Sequence, residues 1–313
     1  MRVLATIPFS DEERESIRAL GYELKVIKEN YIQDEPSLST SEVLICHNPF
    51  SMINLDDCPQ LKWIQLSSAG CEQAPMKKIK EQNIMLTCNR GAYSIAVAEW
   101  IVLKILEIYK NSAGFYHRKE DRIWAIDQSL MELYGKRVIF IGTGTIANEA
   151  ARRLSGFGVE LSGINDSGEK TEFFEHCYDN TMLDEMLPCA DVVVLALPYT
   201  NRTYHLFDKR CLNLMKDDSI LINVSRGEII DENELIEVLK TGKFKGVALD
   251  VFEKMPLSDN SPLWSFDRVL VSAHNSWVSE MRYRRKYEYI YDNLRRYIDK
   301  IPLNNLVNLD KAY

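Results

Sequence analysis

Residues 133–166, LYGKRVIFIGTGTIANEAARRLSGFGVELSGIND, decide how this chain folds. Residues 136–141 form a short apolar run that predicts a buried strand, and this run leads directly into the turn GTGTIA. In the turn, Gly142 permits a tight reversal, Gly144 lets a phosphate approach the backbone, and Ala147 is small enough for a helix to pack closely on the strand. The turn therefore predicts a site for a dinucleotide phosphate.

A helix and a second strand follow the turn. Apolar residues recur at helical spacing from Ile146 onward, so we expect a helix that directs its free N–H groups at an anion. A second strand at 159–164 ends at Asn165 and Asp166, about 20 residues beyond the glycines, where a ribose-binding residue is expected. This order favours a dinucleotide-binding unit, and the alternative is a structural unit with an empty crevice.

Composition narrows the class of protein. The chain has 313 residues, which favours two domains, and its net charge of −8 argues against nucleic acid or an anionic membrane as a partner. The N-terminus lacks the apolar segment of a signal peptide, and the longest apolar helix candidate, 96–106, contains Glu99 and Lys104 and is too short to span a bilayer. Seven scattered cysteines without a CxxC pair favour reduced thiols and a cytoplasmic location, with no zinc site.

Strands and helices alternate on both sides of the glycine turn. The pattern predicts an α/β protein with two Rossmann-like, doubly wound domains. Ser10 is expected to cap the first helix, and a long apolar helix is expected from Tyr93 to Tyr109. We expect His117–Lys119 to lie in a polar connection. Further strands are expected at 2–7, 22–28, 43–46, 61–66, 84–87, 190–198, 219–224, 245–249 and 268–272.

Three polar residues each follow a predicted strand of the second block. Arg226, Asp250 and His274 would meet at one crevice, because parallel strands bring their carboxyl ends to the same edge of a sheet. The guanidinium of Arg226 can hold a carboxylate through two N–H groups, and the imidazole of His274 can pass a proton to an oxygen. Together with a hydride donor, these groups are what reduction of a 2-keto acid requires.

The motifs resemble those of the D-isomer-specific 2-hydroxyacid dehydrogenase family, which includes phosphoglycerate dehydrogenase and hydroxypyruvate or glyoxylate reductases. The matching stretches are SSAGCEQ, NRGAYSIAVAEW, LYGKRVIFIGTGTIA, INVSRGEIIDENELIEVLKTG, and ALDVFEKMPLSDNSPLW followed by VLVSAHNS. The resemblance implies a dinucleotide-binding domain at 96–278 inserted in a flavodoxin-like substrate domain at 1–95 and 279–313. It also implies an active site in the cleft between the domains, and a homodimer that uses the inter-domain helix.

The resemblance also implies residue roles. Arg226 orients the substrate, His274 is the acid/base, and Asp250 contacts the nicotinamide side. Ala69 and Gly70 present N–H groups to the substrate carboxylate. The residues expected to bind NAD or NADP are Gly142, Gly144, Thr145, Ile146, Asn165, Asp166, Pro198, Thr203, Val224, Ser225, Arg226, Asp250 and His274.

The chain departs from the family pattern at the position of a catalytic glutamate. Five residues after Asp250 the family has a Glu that partners the histidine and raises its pKa, whereas this chain has Met255. A thioether cannot do so, hence we expect reduction to slow at neutral and higher pH unless Glu253 replaces the missing carboxylate. Ala273, in place of the usual Pro before the histidine, is a minor change.

A second departure concerns the choice of cofactor. Asn165 occupies the ribose-binding position where NAD enzymes commonly have Asp, while Asp166 disfavours a 2′-phosphate and Lys170 favours it. Either NAD or NADP is therefore expected.

The leading hypothesis is an oxidoreductase that reduces a 2-keto acid to a D-2-hydroxy acid by hydride transfer from NAD(P)H. The alternative, favoured by Met255, is a dinucleotide-binding sensor that has lost catalytic power. A methyltransferase using S-adenosylmethionine shares glycine-rich loops, but it would not require both Arg226 and His274.

Overall fold

The computed structural model describes residues 1–311 as two compact units. One unit comprises Met1–Tyr93 and Ser279–Tyr313, and the other comprises Ser94–Val278. The second unit is therefore inserted in the sequence of the first. Among residues 1–311, no helix has both the length and the apolar character needed to cross a membrane.

The elements, in chain order, are as follows. The strands are β1 Arg2–Ala5, β2 Glu23–Val26, β3 Val43–Cys46, β4 Trp63–Leu66, β5 Met85–Thr87, β6 Arg137–Ile141, β7 Glu160–Ile164, β8 His176–Tyr178, β9 Val192–Leu195, β10 Ile220–Asn223, β11 Gly246–Leu249 and β12 Val269–Val271. The helices are α1 Asp11–Ala19, α2 Met76–Glu81, α3 Ser94–Tyr109, α4 Ser112–Glu120, α5 Thr145–Leu154, α6 Leu183–Met186, α7 Lys209–Leu214, α8 Glu232–Lys240 and α9 Arg282–Asp299. Short 3-10 helices span Glu29–Asp34, Pro36–Thr40, Leu55–Asp57, Ser155–Phe157, Asn180–Met182, Leu187–Cys189, Gly227–Ile229 and Pro262–Ser265.

The first unit is built on a five-stranded parallel sheet in the order β2-β1-β3-β4-β5. This is the flavodoxin-like strand order. Every residue of β3 and β4 is buried, as expected for a parallel sheet covered by helices on both faces. Helix α1 begins where the sequence predicts, because the Ser10 side chain accepts the N–H of Glu13 and the Glu13 carboxylate accepts the N–H of Ser10.

The last helix, α9, is anchored on this sheet by both apolar and polar contacts. Ile290 and Leu294 are fully buried in the core around Trp63. The buried Asn293 donates through Nδ2 to Oε1 of Gln65 on β4, at 2.9 Å. The middle of α9 is therefore fixed against this sheet by apolar packing and by a hydrogen bond to β4.

The second unit contains a seven-stranded parallel sheet in the order β12-β11-β10-β9-β6-β7-β8. It is a doubly wound sheet with its switch point between β6 and β9, the place where such folds bind dinucleotides. Asn223 of β10 pairs with Leu249 of β11, which pairs with Val271 of β12. The carboxyl ends of these three strands are therefore level. The α/β class with two Rossmann-like units is confirmed.

Several elements differ from the sequence-based expectation, and the short helices α2, α6 and α7 were not predicted. Strand β8 was not predicted, because it has only three residues, which do not form an apolar run, and it lies at the edge of the sheet. His117–Lys119 lie in helix α4 and not in an irregular connection. Helix α4 escaped prediction because it buries no residue and so has no apolar stripe.

Candidate active site

The glycine turn after β6 has the geometry that its sequence predicts. Gly142 has φ +92°, and a Cβ there would lie 2.5 Å from the carbonyl oxygen of Ala196, so no other residue fits. At Gly144, by contrast, a Cβ would meet nothing within 4 Å. The backbone of the turn is therefore tightly packed on one side and open on the side where a phosphate would approach.

Helix α5 begins at this opening without a side-chain cap. Gly144 is its N-cap residue, and Asn148 braces the turn by donating through Nδ2 to the carbonyl oxygens of Thr143 and Gly144, at 2.8 and 3.0 Å. Ser94 Oγ donates to Thr145 Oγ1 at 2.8 Å and Ala147 is fully buried, so both ends of the first turn are held in place. Uncapped N–H groups at a rigid helix start fit a pyrophosphate.

The two residues after β7 have different surroundings. Asn165 Oδ1 accepts the N–H groups of Ser167 and Gly168, and its Nδ2 donates to Thr143 Oγ1 at 3.0 Å and to the carbonyl oxygen of Glu169 at 2.9 Å. The Asn165 amide therefore maintains its own loop. Asp166 lies beside it at the surface, and its carboxylate accepts a hydrogen bond from Asn180 at 3.0 Å.

Loops from β9 and β10 complete the predicted cofactor positions. Thr203 Oγ1 accepts the N–H of Thr200 at 2.8 Å and donates to the carbonyl oxygen of Pro198 at 2.9 Å, which closes the β9 loop on itself. After β10, Val224 and Ser225 are buried.

Arg226 is held at the end of β10 by a close contact between two backbones. Its Nη1 donates to the carbonyl oxygen of Ser225 at 2.7 Å, and its own carbonyl oxygen accepts from Asn223 at 2.9 Å. A Cβ on Gly227 would lie 1.9 Å from the backbone carbon of Phe252. Only glycine lets the Arg226 loop pack this closely against the segment that follows Asp250.

Asp250 fixes the loop that carries His274. Its carboxylate is fully buried and accepts hydrogen bonds from Ser272 Oγ, from the N–H of Asn275 at 2.8 Å, and from the N–H of Ser276 at 3.1 Å. The His274 N–H donates to the Asp250 carbonyl oxygen at 2.9 Å, and His274 has φ +51°. Both carboxylate oxygens of Asp250 thus accept hydrogen bonds from the loop that carries His274.

Glu253 does not replace the carboxylate that is missing at Met255. Glu253 Oε1 lies 2.9 Å from His205 Nε2 and accepts the N–H of Glu232 at 3.0 Å. Burial raises the pKa of the neighbouring Glu232, because the charged form of this carboxyl group is poorly solvated there. Met255 itself is 49% exposed.

The sequence did not reveal the cluster in which Glu253 takes part. Within residues 1–311, His205, Asp231 and Glu253 place their ligand atoms within 4.8 Å of one another, as a metal site would require. However, the imidazole lies between the carboxylates, with Nε2 at 2.9 Å from Glu253 and Nδ1 at 3.6 Å from Asp231. Each ring nitrogen of His205 lies against a different carboxylate. This geometry favours a structural link between the loops after β9, β10 and β11 over the binding of one metal ion by all three residues.

In the first unit, the loop after β4 presents small residues. The Ser68 side chain donates to the carbonyl oxygen of Gly70 at 2.7 Å, and the Tyr93 hydroxyl donates to the carbonyl oxygen of Ser67 at 2.7 Å. Burial raises the pKa of Tyr93 to about 12, which keeps this hydroxyl a donor. Ala69 is exposed at the tip of the loop. The loop is therefore rigid, with a backbone that a ligand can reach.

Comparison with known proteins identifies the family. A sequence model described as "D-isomer specific 2-hydroxyacid dehydrogenase, NAD binding domain" matches residues 102–276. A glyoxylate reductase from Thermofilum pendens is 33% identical over 233 residues, which cover 70% of this chain and 67% of that protein. A D-isomer specific 2-hydroxyacid dehydrogenase family protein from Aeromonas salmonicida superposes with a TM-score of 0.83 at 26% identity, covering 99% of both chains.

A fourth comparison bears on the fold alone. A D-isomer specific 2-hydroxyacid dehydrogenase from Xanthobacter autotrophicus, solved with NADPH, gives a TM-score of 0.85 at 23% identity and covers 100% of this chain and 99% of that one.

The family match at 102–276 includes the glycine turn, Arg226, Asp250 and His274. This chain therefore belongs to the D-isomer specific 2-hydroxyacid dehydrogenase family, and it is an NAD(P)-dependent enzyme of 2-hydroxy acids.

Proposed function

We propose that Arg226 and His274 carry the reduction of a 2-keto acid to a D-2-hydroxy acid. The observation that carries this proposal is the level register of β10, β11 and β12, from whose carboxyl ends Arg226, Asp250 and His274 follow. Neighbouring parallel strands are about 4.8 Å apart, so the outer two of three are roughly 10 Å apart and long side chains can converge. A nicotinamide bound at the switch point supplies the hydride.

The side chains have separate tasks in this proposal. Arg226 holds the substrate carboxylate through its planar N–H groups, and His274 donates a proton to the oxygen that was the keto group. Asp250 keeps His274 in place through the loop from Ser272 to Ser276. The N–H groups of Ala69 and Gly70 in the first unit bind a substrate carboxylate.

The test is the loss of nicotinamide absorbance with a panel of 2-keto acids and both reduced cofactors. We expect turnover by the unmodified enzyme, a fall in kcat of about 10²–10⁴ for His274→Asn, and a rise in KM for Arg226→Lys, which keeps the charge but loses the bidentate fork. If His274→Asn kept full kcat, the proton-donor role would be refuted.

Catalysis is further proposed to be slow at neutral and higher pH. The support is that Met255 replaces the family's glutamate and that Glu253 is engaged by His205 and the N–H of Glu232. The family assignment favours an enzyme over the alternative of a sensor without activity.

For the cofactor, Asp166 is proposed to bind the ribose hydroxyls and to disfavour a 2′-phosphate by charge repulsion. Its support is its surface position directly after β7, together with the use of the Asn165 amide within its own loop. Binding constants for NADH and NADPH would test this preference.

A homodimer is proposed on the basis of an exposed apolar surface. Within helix α4 and the segment after it, Trp124 is fully exposed, Ile126 is 84% exposed, and Tyr116 and Ile123 are more than half exposed. Apolar side chains grouped in this way mark an interaction surface. Light scattering on the intact chain and on Trp124→Glu would show a dimer that the variant weakens. A cytoplasmic location is supported by seven cysteines, none of which forms a disulfide within residues 1–311, and it would be tested by localising the tagged chain.

A further inference from the structure

Helix α9 begins with two cations on its inward face. Arg282 and Lys286 are four residues apart, and the buried Ile290 and Asn293 continue the same face one and two turns later. Both of these side chains are half-buried. Neither was singled out by the sequence, because Arg and Lys at a helix start ordinarily indicate a solvated surface.

Hydrogen bonds connect this face to the loop after β4. The Lys286 carbonyl oxygen accepts from Asn89 Nδ2 at 3.3 Å, and the Asn89 N–H donates to the carbonyl oxygen of Ser68 at 2.7 Å. Ser68 directly precedes Ala69 and Gly70. The cations thus belong to the same end of the sheet as the loop proposed to bind a substrate carboxylate.

The two charges lie against one aromatic ring. The centroid of the Tyr283 ring is 4.4 Å from Arg282 Cζ and 5.2 Å from Lys286 Nζ. Lys286 is partly buried, and within residues 1–311 no carboxylate oxygen lies within 4.0 Å of its Nζ. Burial lowers the pKa of Lys286, the nearby Tyr283 hydroxyl and Glu13 carboxylate raise it in part, and the charge of Arg282 lowers it again. An anion bound beside the Lys286 ammonium would offset part of the cost of burying this charge.

Two buried oxygens in the same region lack hydrogen bonds. In the described part of the chain, Asn89 Oδ1 and Ser279 Oγ are buried without a partner. Asn89 is fully buried and bonded to the backbone of Lys286, while the Ser279 carbonyl oxygen accepts from Arg282. Unsatisfied polar atoms are uncommon in folded proteins and often indicate a place where a ligand or ordered water binds.

We propose that Arg282 and Lys286 form a second anion subsite, which selects 2-keto acids that carry another carboxylate or a phosphate away from the keto group. The inference rests on the proposed function of the β4 loop in binding the substrate. The alternative is a purely structural role, in which the aliphatic part of Lys286 covers apolar surface and its ammonium makes a cation–π contact with Tyr283.

The test compares substrates that differ in the second charge. One pair is 2-oxoglutarate with its 5-methyl ester, which keeps only the C1 carboxylate, and the other is 3-phosphohydroxypyruvate with hydroxypyruvate, which lacks the phosphate. We expect a higher kcat/KM for the charged member of at least one pair, and the pair that shows it distinguishes carboxylate from phosphate. Lys286→Met should reduce this preference about tenfold to hundredfold, mainly through KM, since it removes a hydrogen bond between two charged groups.

Two variants control for loss of charge and for loss of packing. Arg284→Met removes a positive charge from the solvent face of α9, where Arg284 pairs with Glu288 at 2.9 Å, and should leave the preference unchanged. Lys286→Arg should retain most of it. Equal kcat/KM for both members of each pair, or an equal loss for both in Lys286→Met, overturns the subsite and leaves the proposed reduction standing.

If no 2-keto acid is reduced, the proposed function fails and the subsite is judged by calorimetry. D-malate, which has two carboxylates, would be titrated against D-lactate, which has one. Tighter binding of D-malate that is lost in Lys286→Met supports the subsite, and equal binding of the two acids overturns it.

Discussion

Removing the Asp250 carboxylate is expected to damage both stability and catalysis. In Asp250→Ala, three donors of the 272–276 loop lose a charged acceptor: Ser272 Oγ and the N–H groups of Asn275 and Ser276. A donor that loses its partner away from water costs about 1–3 kcal/mol. Because Ser276 is buried while Ser272 and Asn275 can reach water, we expect the free energy of unfolding to fall by about 2–4 kcal/mol.

The same change should displace the proton donor. The loop carries His274 in a left-handed conformation that the chain adopts only under constraint, since φ is +51°. Without Asp250 the loop can relax, and kcat should fall by about 10²–10⁴, the usual contribution of general acid catalysis. NADH affinity should change less than kcat, because the proposed phosphate site at Gly144 lies in the turn after a different strand, β6.

Urea unfolding followed by circular dichroism and steady-state kinetics would measure the two effects. Asp250→Asn is the intermediate variant, since its amide retains one acceptor oxygen and should lose less stability. Asp259→Ala, at an exposed position of the same unit, is the control and should change neither quantity. If Asp250→Ala lost less than about 1 kcal/mol and kept its kcat, the positioning role would be wrong.

Four further predictions concern other parts of the enzyme. Met255→Glu should raise kcat/KM at neutral and higher pH, because the restored carboxylate is proposed to favour the protonated form of His274; an unchanged pH profile would count against this. Asp166→Ala should bring the Kd of NADPH closer to that of NADH, as measured by nicotinamide fluorescence, and an unaltered ratio would show that Asp166 does not discriminate. Gly227→Ala should destabilise the fold by several kcal/mol in urea, since its Cβ would overlap the backbone of the β11 loop; a loss below about 0.5 kcal/mol would contradict the close packing. Burial lowers the pKa of Lys286, and only its charged form attracts an anion, so the preference for a second anion should disappear as pH rises through that lowered pKa; a pH-independent preference would exclude Lys286.

Much of the second unit could be predicted because its signals are local. An apolar run, a glycine that must adopt positive φ, and an apolar helical stripe occur within the single stretch from Arg137 to Leu154. The same holds for the caps of α1 and α8, where Ser10 and Asp231 each accept an N–H three residues onward. Elements without such signals, among them β8 and α4, were not predicted.

The sequence by itself determined the fold class, the family, and the order in which polar residues follow parallel strands. It could do so because topology places the carboxyl ends of parallel strands at one edge whatever the side chains do there. Only the tertiary structure decided which partner each polar group takes. Glu253 bonds to His205, 48 positions away, and Lys286 is joined to Asn89 across 197 positions. Hydrogen bonds of this kind depend on distances of a few tenths of an ångström between remote segments, and no local pattern of residues encodes them.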